Sequence, residues 1–400
     1  MVVMRQFFIF LFTGASIAIL DLIDSAFGNH ISLDSICVMS AFTVIYWCVD
    51  CICKAGEYAY RVKLKYESEC FVFQVAITLI YSFMLIVFRV PIAHIYSLTD
   101  TQCELLSMCL FYKGLCLIFG KLESFYRNYI ALTCQNKHIV ISNIIFYTTM
   151  IGADALVIAL GGECYHLVIA TGVADAITVV YYLIFCRFKW KKPTFERLKE
   201  CILCAKDIVI DRVLGKVATV VFNICASHLQ TEIYALHSIG YAIATSLEEC
   251  TNCCYTFQIV RLKAIENLSE KYKMCKKLSK QVFIPTVLVD YGVAVLMVLP
   301  MKGVVDFKSA LIITLLYNTQ CILLQLYENH RGFLTSCGAT ECLRLGGLFG
   351  IIVRVPIAII SITTPIGIYG FALGSGIDFF IRGLYYKYKS INLVNKEVVA

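Results

Sequence analysis

Carboxylates set inside apolar stretches carry the chemistry of this chain. Asp21, Asp24, Asp50, Asp154 and Asp175 in the first half lie among Leu, Ile, Val, Phe and Cys, as do Asp207, Asp211, Glu248, Glu249, Asp290 and Asp378 in the second. Holding a carboxylate at the middle of a bilayer costs about 2.5–3.5 kcal/mol even on a lenient insertion scale, so such residues need a reason. Asp207 and Glu249 sit near segment ends, where a side chain can reach out to water. Asp154 sits mid-segment, and Asp21 and Asp24, three residues apart, share a helix face, so at least one must look into a bundle interior. A desolvated carboxylate close to another can take up a proton, or bind sodium when ionised. Either property can couple the protein to an ion gradient. The plainer alternative is a polar pair that pins helices together.

Cysteine offers a second chemistry. Cys48-x-x-Cys51, Cys201-x-x-Cys204 and Cys250-x-x-Cys253 each place two thiols on one helical face, a spacing that can hold a metal or exchange disulfides. With 21 cysteines in the chain such spacings recur by chance, and no histidine cluster completes a ligand set, so no metal site is expected. Cys103, Cys109, Cys116 and Cys225 lie inside apolar runs and read as small packing residues. Gly114 and Gly120-Lys121 have the wrong spacing for a phosphate-binding loop, and no HExxH or GxSxG motif occurs. The expectation is therefore neither an enzyme nor an ATP-driven machine, with no cofactor.

The elements that must position these residues follow from composition. Of 400 residues, 59% are hydrophobic and only 16% charged, and the mean hydropathy is +0.76. That excludes an ordinary soluble enzyme and leaves room for about 12 spans of roughly 20 residues with short connections. Apolar segments fall near 6–27, 33–58, 70–95, 104–125, 138–160 and 164–187, then near 202–226, 233–257, 281–301, 308–327, 343–362 and 366–386. The first runs on to Phe27 without a small-residue cleavage site, so it is expected to be retained as a helix.

Charge alternates with the loops, and basic loops stay cytoplasmic. Loops 28–32, 96–103, 161–163, 227–232 and 363–366 lack Lys and Arg, and only Lys302 and Lys308 break the pattern. The intervening connections hold Arg61, Lys63 and Lys65; Arg127 and Lys137; Arg187 through Lys199; Arg261 through Lys280; Arg331 and Arg344; and Arg382, Lys387 and Lys389. Both termini are expected in the cytoplasm of a multi-pass cell-membrane protein. The net charge of +7 is then topological, and nucleic acid is not an expected partner.

An internal repeat fixes the architecture. Shifting the sequence by 198 residues aligns His30 with His228, Asp34 with Glu232, Asp50 with Glu248, and Leu64-Lys65 with Leu262-Lys263. A shift of 204 aligns Tyr165 with Tyr369, Thr171-Gly172 with Ser375-Gly376, and Tyr181-Tyr182 with Tyr385-Tyr386. An even number of helices per copy makes the repeats parallel. The expected fold is an all-α membrane protein of twelve transmembrane helices in two pseudo-symmetric six-helix lobes, 1–187 and 201–400, joined by a cytoplasmic linker at 188–200.

These residues resemble the multidrug and toxic compound extrusion (MATE) family over nearly the whole chain. Ile23-Asp24-Ser25-Ala26-Phe27-Gly28 is similar to its first-helix aspartate and following glycine. Asp154 through Ile158, Gly161-Gly162 and Ala170-Thr171 follow its order of aspartate, apolar run, glycine loop and Ala-Thr, and Tyr234 through Ile239 resembles the opening of its eighth helix. The resemblance implies a monomeric antiporter whose lobes rock about a central cavity, exporting small amphipathic organic compounds from or through surrounding membrane lipid in exchange for H+ or Na+. Asp24, Asp154 and Thr171 match its cation-binding positions. Met150 stands where the family often has Asn, a loss that Asp175 can offset one turn beyond Thr171. Asp50, Glu248 and Asp290 are candidates for the substrate cavity. Family glycines are replaced around Lys65 and Glu266, and the seventh-helix acid of some members falls near Gly215 and Lys216. Two alternatives remain: a lipid-linked oligosaccharide flippase of the same superfamily, with Lys113, Lys121 and Arg354 meeting a pyrophosphate, or a non-transporting membrane protein using the CxxC pairs.

Overall fold

The computed structural model describes residues 4–16, 33–94, 99–186, 188–226, 229, 231–299 and 306–399. Among them every regular element is a helix: α1 (4–16), α2 (Leu33–Cys53), α3 (Ala55–Val62), α4 (Glu67–Ala93), α5 (Asp100–Leu132), α6 (Asn136–Ala159), α7 (Cys164–Phe185), α8 (Phe195–Ala226), α9 (Thr231–Leu262), α10 (Leu268–Val298), α11 (Phe307–Ser336), α12 (Glu341–Thr363) and α13 (Gly367–Val399). The described part of each of the twelve apolar segments falls on a helix, the second being broken at Lys54 into α2 and α3. Among the described residues seven helices (α4, α5, α6, α7, α10, α11 and α12) are long and apolar enough to cross a membrane, whereas α8, α9 and α13 are as long but more polar. Ile80, Phe83 and Phe88 on α4, and Val180, Leu183 and Ile184 on α7, are exposed, as lipid-facing side chains are.

Helix ends are set by local chemistry. The Thr99 hydroxyl accepts from the Gln102 N–H while the Gln102 side chain accepts from the Thr99 N–H, opening α5 with a reciprocal cap. Asn267 and Asp306 cap α10 and α11 in the same sense. Three helices close on a left-handed residue with a six-to-one backbone bond: Cys134 (φ 61°), Gly161 (φ 67°) and Gly338 (φ 74°), through Gln135 N–H to Ile130 O, Gly162 N–H to Val157 O, and Ala339 N–H to Leu334 O.

The chain divides into two compact units. One is Leu20–Val209, and the other is Met1–Ile19 with Ile210–Ala400. In the first, α5 packs against α2, α4 and α7, and α6 against α7. In the second, α11 packs against α9, α10 and α13, and α12 against α13.

The repeat reappears in the contacts within each unit. A side chain on Gly172 of α7 would strike Cys116 of α5, and one on Gly376 of α13 would lie in van der Waals contact with the Gln320 backbone of α11 (3.5 Å); each residue of the second pair lies 204 positions after its counterpart. Tyr182 donates to Glu123 (3.3 Å), and 204 positions on Tyr386 packs its ring against Tyr327 (5.2 Å). Cys134 and Gly338, the two left-handed helix ends, are again 204 apart. Glycine lets the two backbones approach closely at the first pair of crossings, the usual device for packing helices without a hydrophobic drive between them.

Candidate functional site

Within Leu20–Val209 the polar interior is built where α5 passes α2. Lys121, almost fully buried, forms an ion pair with Asp50 and donates to the Tyr46 hydroxyl (3.1 Å). Lys54, at the break between α2 and α3, reaches the other Asp50 oxygen at 2.9 Å. Two turns before Lys121 on the same face of α5, the Lys113 ammonium lies 4.3 Å from the Tyr46 ring centroid. Asp50, read from the sequence as a cavity acid, is thus held between two lysines.

One residue before Lys121 on α5, Gly120 supports Asp175 of α7, and a side chain there would collide with the carboxylate at 2.8 Å. It lies within electrostatic reach of Lys113, Glu123, Lys121 and Arg127. Glu123 and Arg127 form their own ion pair at 2.7 Å. Asp154 on α6 is wholly buried, while Thr171 on α7 is half-buried and donates to the Leu167 carbonyl one turn back (3.1 Å). Asp21 and Asp24 lie outside the described residues.

The basic linker is docked rather than loose. Lys191 N–H donates to Ser68 Oγ (2.8 Å), Arg197 meets Glu69 (3.7 Å), and Phe188 packs on Phe71 and Tyr129 with ring centroids 5.4 and 5.2 Å apart. Lys63 donates to Glu200 (3.2 Å), a bond that holds its ammonium above the ordinary range. The sulfur of Cys201 lies 3.4 Å from that of Cys70 on α4. Cys201 thus faces a cysteine outside its own CxxC spacing. Among the described residues no group of three or more His, Cys, Asp or Glu is arranged to hold a metal ion.

The second unit contains an ionic network that the sequence reading missed. Asp211 on α8 receives Arg382 of α13 at 2.6 Å and faces Arg331 of α11 at 3.4 Å. Arg331 bridges on to both oxygens of Glu328 (3.4 Å each) and stacks over the Tyr255 and Tyr327 rings. Arg354 of α12 donates through Nε to Asp378 (2.7 Å) and through Nη1 to Thr219 (3.1 Å), and Arg382 also faces Asp378 at 3.6 Å. Arg331 and Arg382 were expected as markers of cytoplasmic loops; both instead lie inside helices and are buried. The usable signal was the helical spacing of Glu328 with Arg331, and of Asp378 with Arg382, which places opposite charges on one helix face.

Glu248 accepts from Gln320 Nε2 at 3.2 Å, and Asp290 on α10 accepts from Thr251 at 3.0 Å while almost fully buried. The sequence candidates therefore fall into separate environments: Asp50 and Asp175 beside α5, Asp154 in α6, and Glu248 and Asp290 in the other unit.

No family model matches the sequence, and no curated relative matches it. Solved structures do. An outward-facing multidrug-resistance MATE transporter of the MOP superfamily is similar at 14% identity over 98% of this chain and 95% of its own, with a TM-score of 0.72. A Vibrio cholerae MATE transporter is similar at 12% identity over 98% and 96%, with a TM-score of 0.78. A MOP superfamily transporter from Pyrococcus furiosus, described for the reverse polarity of its binding pocket, is similar at 13% over 98% and 95%, with a TM-score of 0.73. At these identities the likeness is one of fold, and it extends along both chains.

Proposed function

We propose that this chain, which has the MATE transporter fold, is a secondary active transporter of the cell membrane rather than an enzyme. It moves small amphipathic organic compounds outward in exchange for H+ or Na+, as a monomer surrounded by lipid and with both termini in the cytoplasm. The observation that carries the reading is Asp154, a carboxylate with no solvent exposure on a helix apolar enough to span a membrane. An acid in that position is stabilised by a proton or a cation, and a change in its occupancy alters the charge of the site. Asp24 and Thr171 complete the coupling site, with Asp175 as a further ligand, while Asp50, Glu248 and Asp290 contribute acidity where substrate binds.

The flippase reading gains support from one observation. Lys113 and Lys121 are both buried in the interior of one unit, where an anionic headgroup would need them. Arg354, the third cation of that reading, is already engaged by Asp378 and Thr219.

Flux in proteoliposomes tests the proposal. A fluorescent organic ion, drawn from a panel of anions and cations, should move across protein-containing vesicles when a pH or sodium gradient is imposed, and should not move without one. Flux equal to that of empty vesicles under both gradients would reject it.

A further inference from the structure

Lys113 stands apart from the other buried cations. It is 7% exposed on a membrane-spanning helix, yet among the described residues it makes no hydrogen bond and no ion pair; its ammonium lies against the face of Tyr46, with Asp175 within electrostatic reach. Every other strongly buried lysine or arginine among the described residues has an oxygen partner: Lys121 has Asp50 and Tyr46, Lys271 has the Ser336 carbonyl, and the three buried arginines have carboxylates. A cation–π contact offsets part of the cost of desolvating an ammonium but leaves its charge uncompensated. Asp175, the carboxylate within reach, lies back on Gly120 and forms no ion pair with it.

Among the described residues the surroundings are net positive. Lys54, Lys113 and Lys121 stand against Asp50 and Asp175, and the nearby Glu123 and Arg127 cancel each other. Beside Lys113 the wall is aromatic: Phe42 stacks on Tyr46 one helical turn away on α2 (6.1 Å), and Tyr112 stacks on Tyr165 (5.5 Å). The feature belongs to this unit alone, because the residue 204 positions after Lys113 is the neutral Tyr317. An unpaired buried ammonium beside an aromatic wall is complementary to a molecule with an anionic end and an apolar body.

We propose that Lys113, seated on the Tyr46 ring, is the subsite for the anionic group of the transported molecule, so that the substrate class is the amphipathic organic anion: a carboxylate, sulfonate or phosphate attached to an apolar body. This rests on the transport reading and names the charge of its substrate. The anion would complete the coordination of Lys113 while its apolar part lies along Phe42, Tyr46 and Tyr112.

The test is binding of fluorescein, an organic dianion, and of ethidium, an organic cation, to the full-length protein in phosphatidylcholine nanodiscs, read by fluorescence polarisation. A charge-assisted hydrogen bond contributes enough that Lys113→Met should weaken fluorescein binding about tenfold or more. Lys113→Arg should restore it, Lys189→Met on the exposed linker should leave it unchanged, and ethidium should be insensitive to all three. Fluorescein binding that is absent in the wild type, or equal in wild type and Lys113→Met, overturns the subsite. Nanodiscs containing phosphatidic acid identify the source of the anion: displacement of fluorescein assigns the site to a lipid headgroup, and retention assigns it to a soluble anion. Should the binding pattern hold while gradient-driven flux is absent, the transport reading fails and the subsite stands.

Discussion

Asp211 and Arg331, on α8 and α11, face each other at 3.4 Å with neither side chain reaching solvent. The contact is one of charge rather than a hydrogen bond, because the Arg331 Nη2 geometry reaches no acceptor and the directed bonds of this guanidinium go to Glu328. Removing one partner of a buried pair leaves an uncompensated charge, at a cost of about 3–5 kcal/mol. Arg331→Met should therefore lower the unfolding midpoint of the detergent-solubilised protein strongly. The double variant Arg331→Met with Glu328→Gln should recover part of the loss. A single variant within about 1 kcal/mol of wild type would contradict the network.

Asp154→Asn should abolish gradient-driven flux while leaving folding and substrate binding near wild type. The amide keeps the shape of the carboxylate and can still hydrogen-bond, but it mimics a permanently neutralised site. Asp24→Asn should behave in the same way, and Thr171→Ala more mildly, since its hydroxyl is already engaged with Leu167. Asp207→Asn, on a half-buried residue within α8, should have little effect. Wild-type flux from Asp154→Asn would move the coupling site elsewhere.

The α5–α7 crossing makes a steric prediction. An added Cβ at Gly172 meets the Cys116 side chain, so Gly172→Ala should destabilise by about 1–3 kcal/mol. Because the obstacle is the Cys116 side chain, its sulfur and its Cβ (2.6 Å), rather than backbone, Cys116→Gly in the same molecule should restore much of the loss. Additive losses in a thermal-unfolding cycle would show that the helices do not cross there.

Cys70 and Cys201 should join as a disulfide when the folded protein is treated with a thiol oxidant such as diamide. Their sulfurs are 3.4 Å apart and both side chains are buried. Peptide mapping without reduction should find Cys70 linked to Cys201 and no Cys201–Cys204 link. The reverse pairing would place α4 and the start of α8 differently.

Cys134→Gly should stabilise by about 0.5–1 kcal/mol. The left-handed backbone is strained for a residue with a Cβ, and glycine relieves that strain at the expense of a more flexible unfolded chain. Gly338, at the equivalent point of the other unit, already has the favoured residue. A lower unfolding midpoint in Cys134→Gly would argue against this helix end.

Hydropathy revealed the twelve apolar segments because each helix must hide its backbone from lipid, and the 204-residue shift seen in tyrosines and glycines is the one that relates the helix crossings. The break at Lys54 was not legible: it interrupts a run that is apolar on both sides, and one lysine next to Asp50 carries no turn signal. Arg331 and Arg382 were misread for a physical reason. Counting basic residues near segment ends treats each as solvated, whereas these two arginines meet a same-helix acid, Glu328 or Asp378, that the spacing shows, and also Asp211, which lies more than a hundred residues away and leaves no local trace. Asp50 was legible as a buried acid, but its neutralisation by Lys121 was not, because that pairing exists only once α2 and α5 are side by side.

The ionic network of the second unit has an electrical consequence. At its buried centre Asp211, Glu328 and Asp378 balance Arg331, Arg354 and Arg382, so these six charges sum to zero, while the part-exposed Arg212 joins from the edge at 3.6 Å from Glu328. A membrane potential does about 2.3 kcal/mol of work on each elementary charge per 100 mV, and on a self-cancelling group carried along as a body it does none. Any voltage sensitivity of this protein must therefore originate outside those six charges, and the excess charge around Lys113 gives the field something to act on.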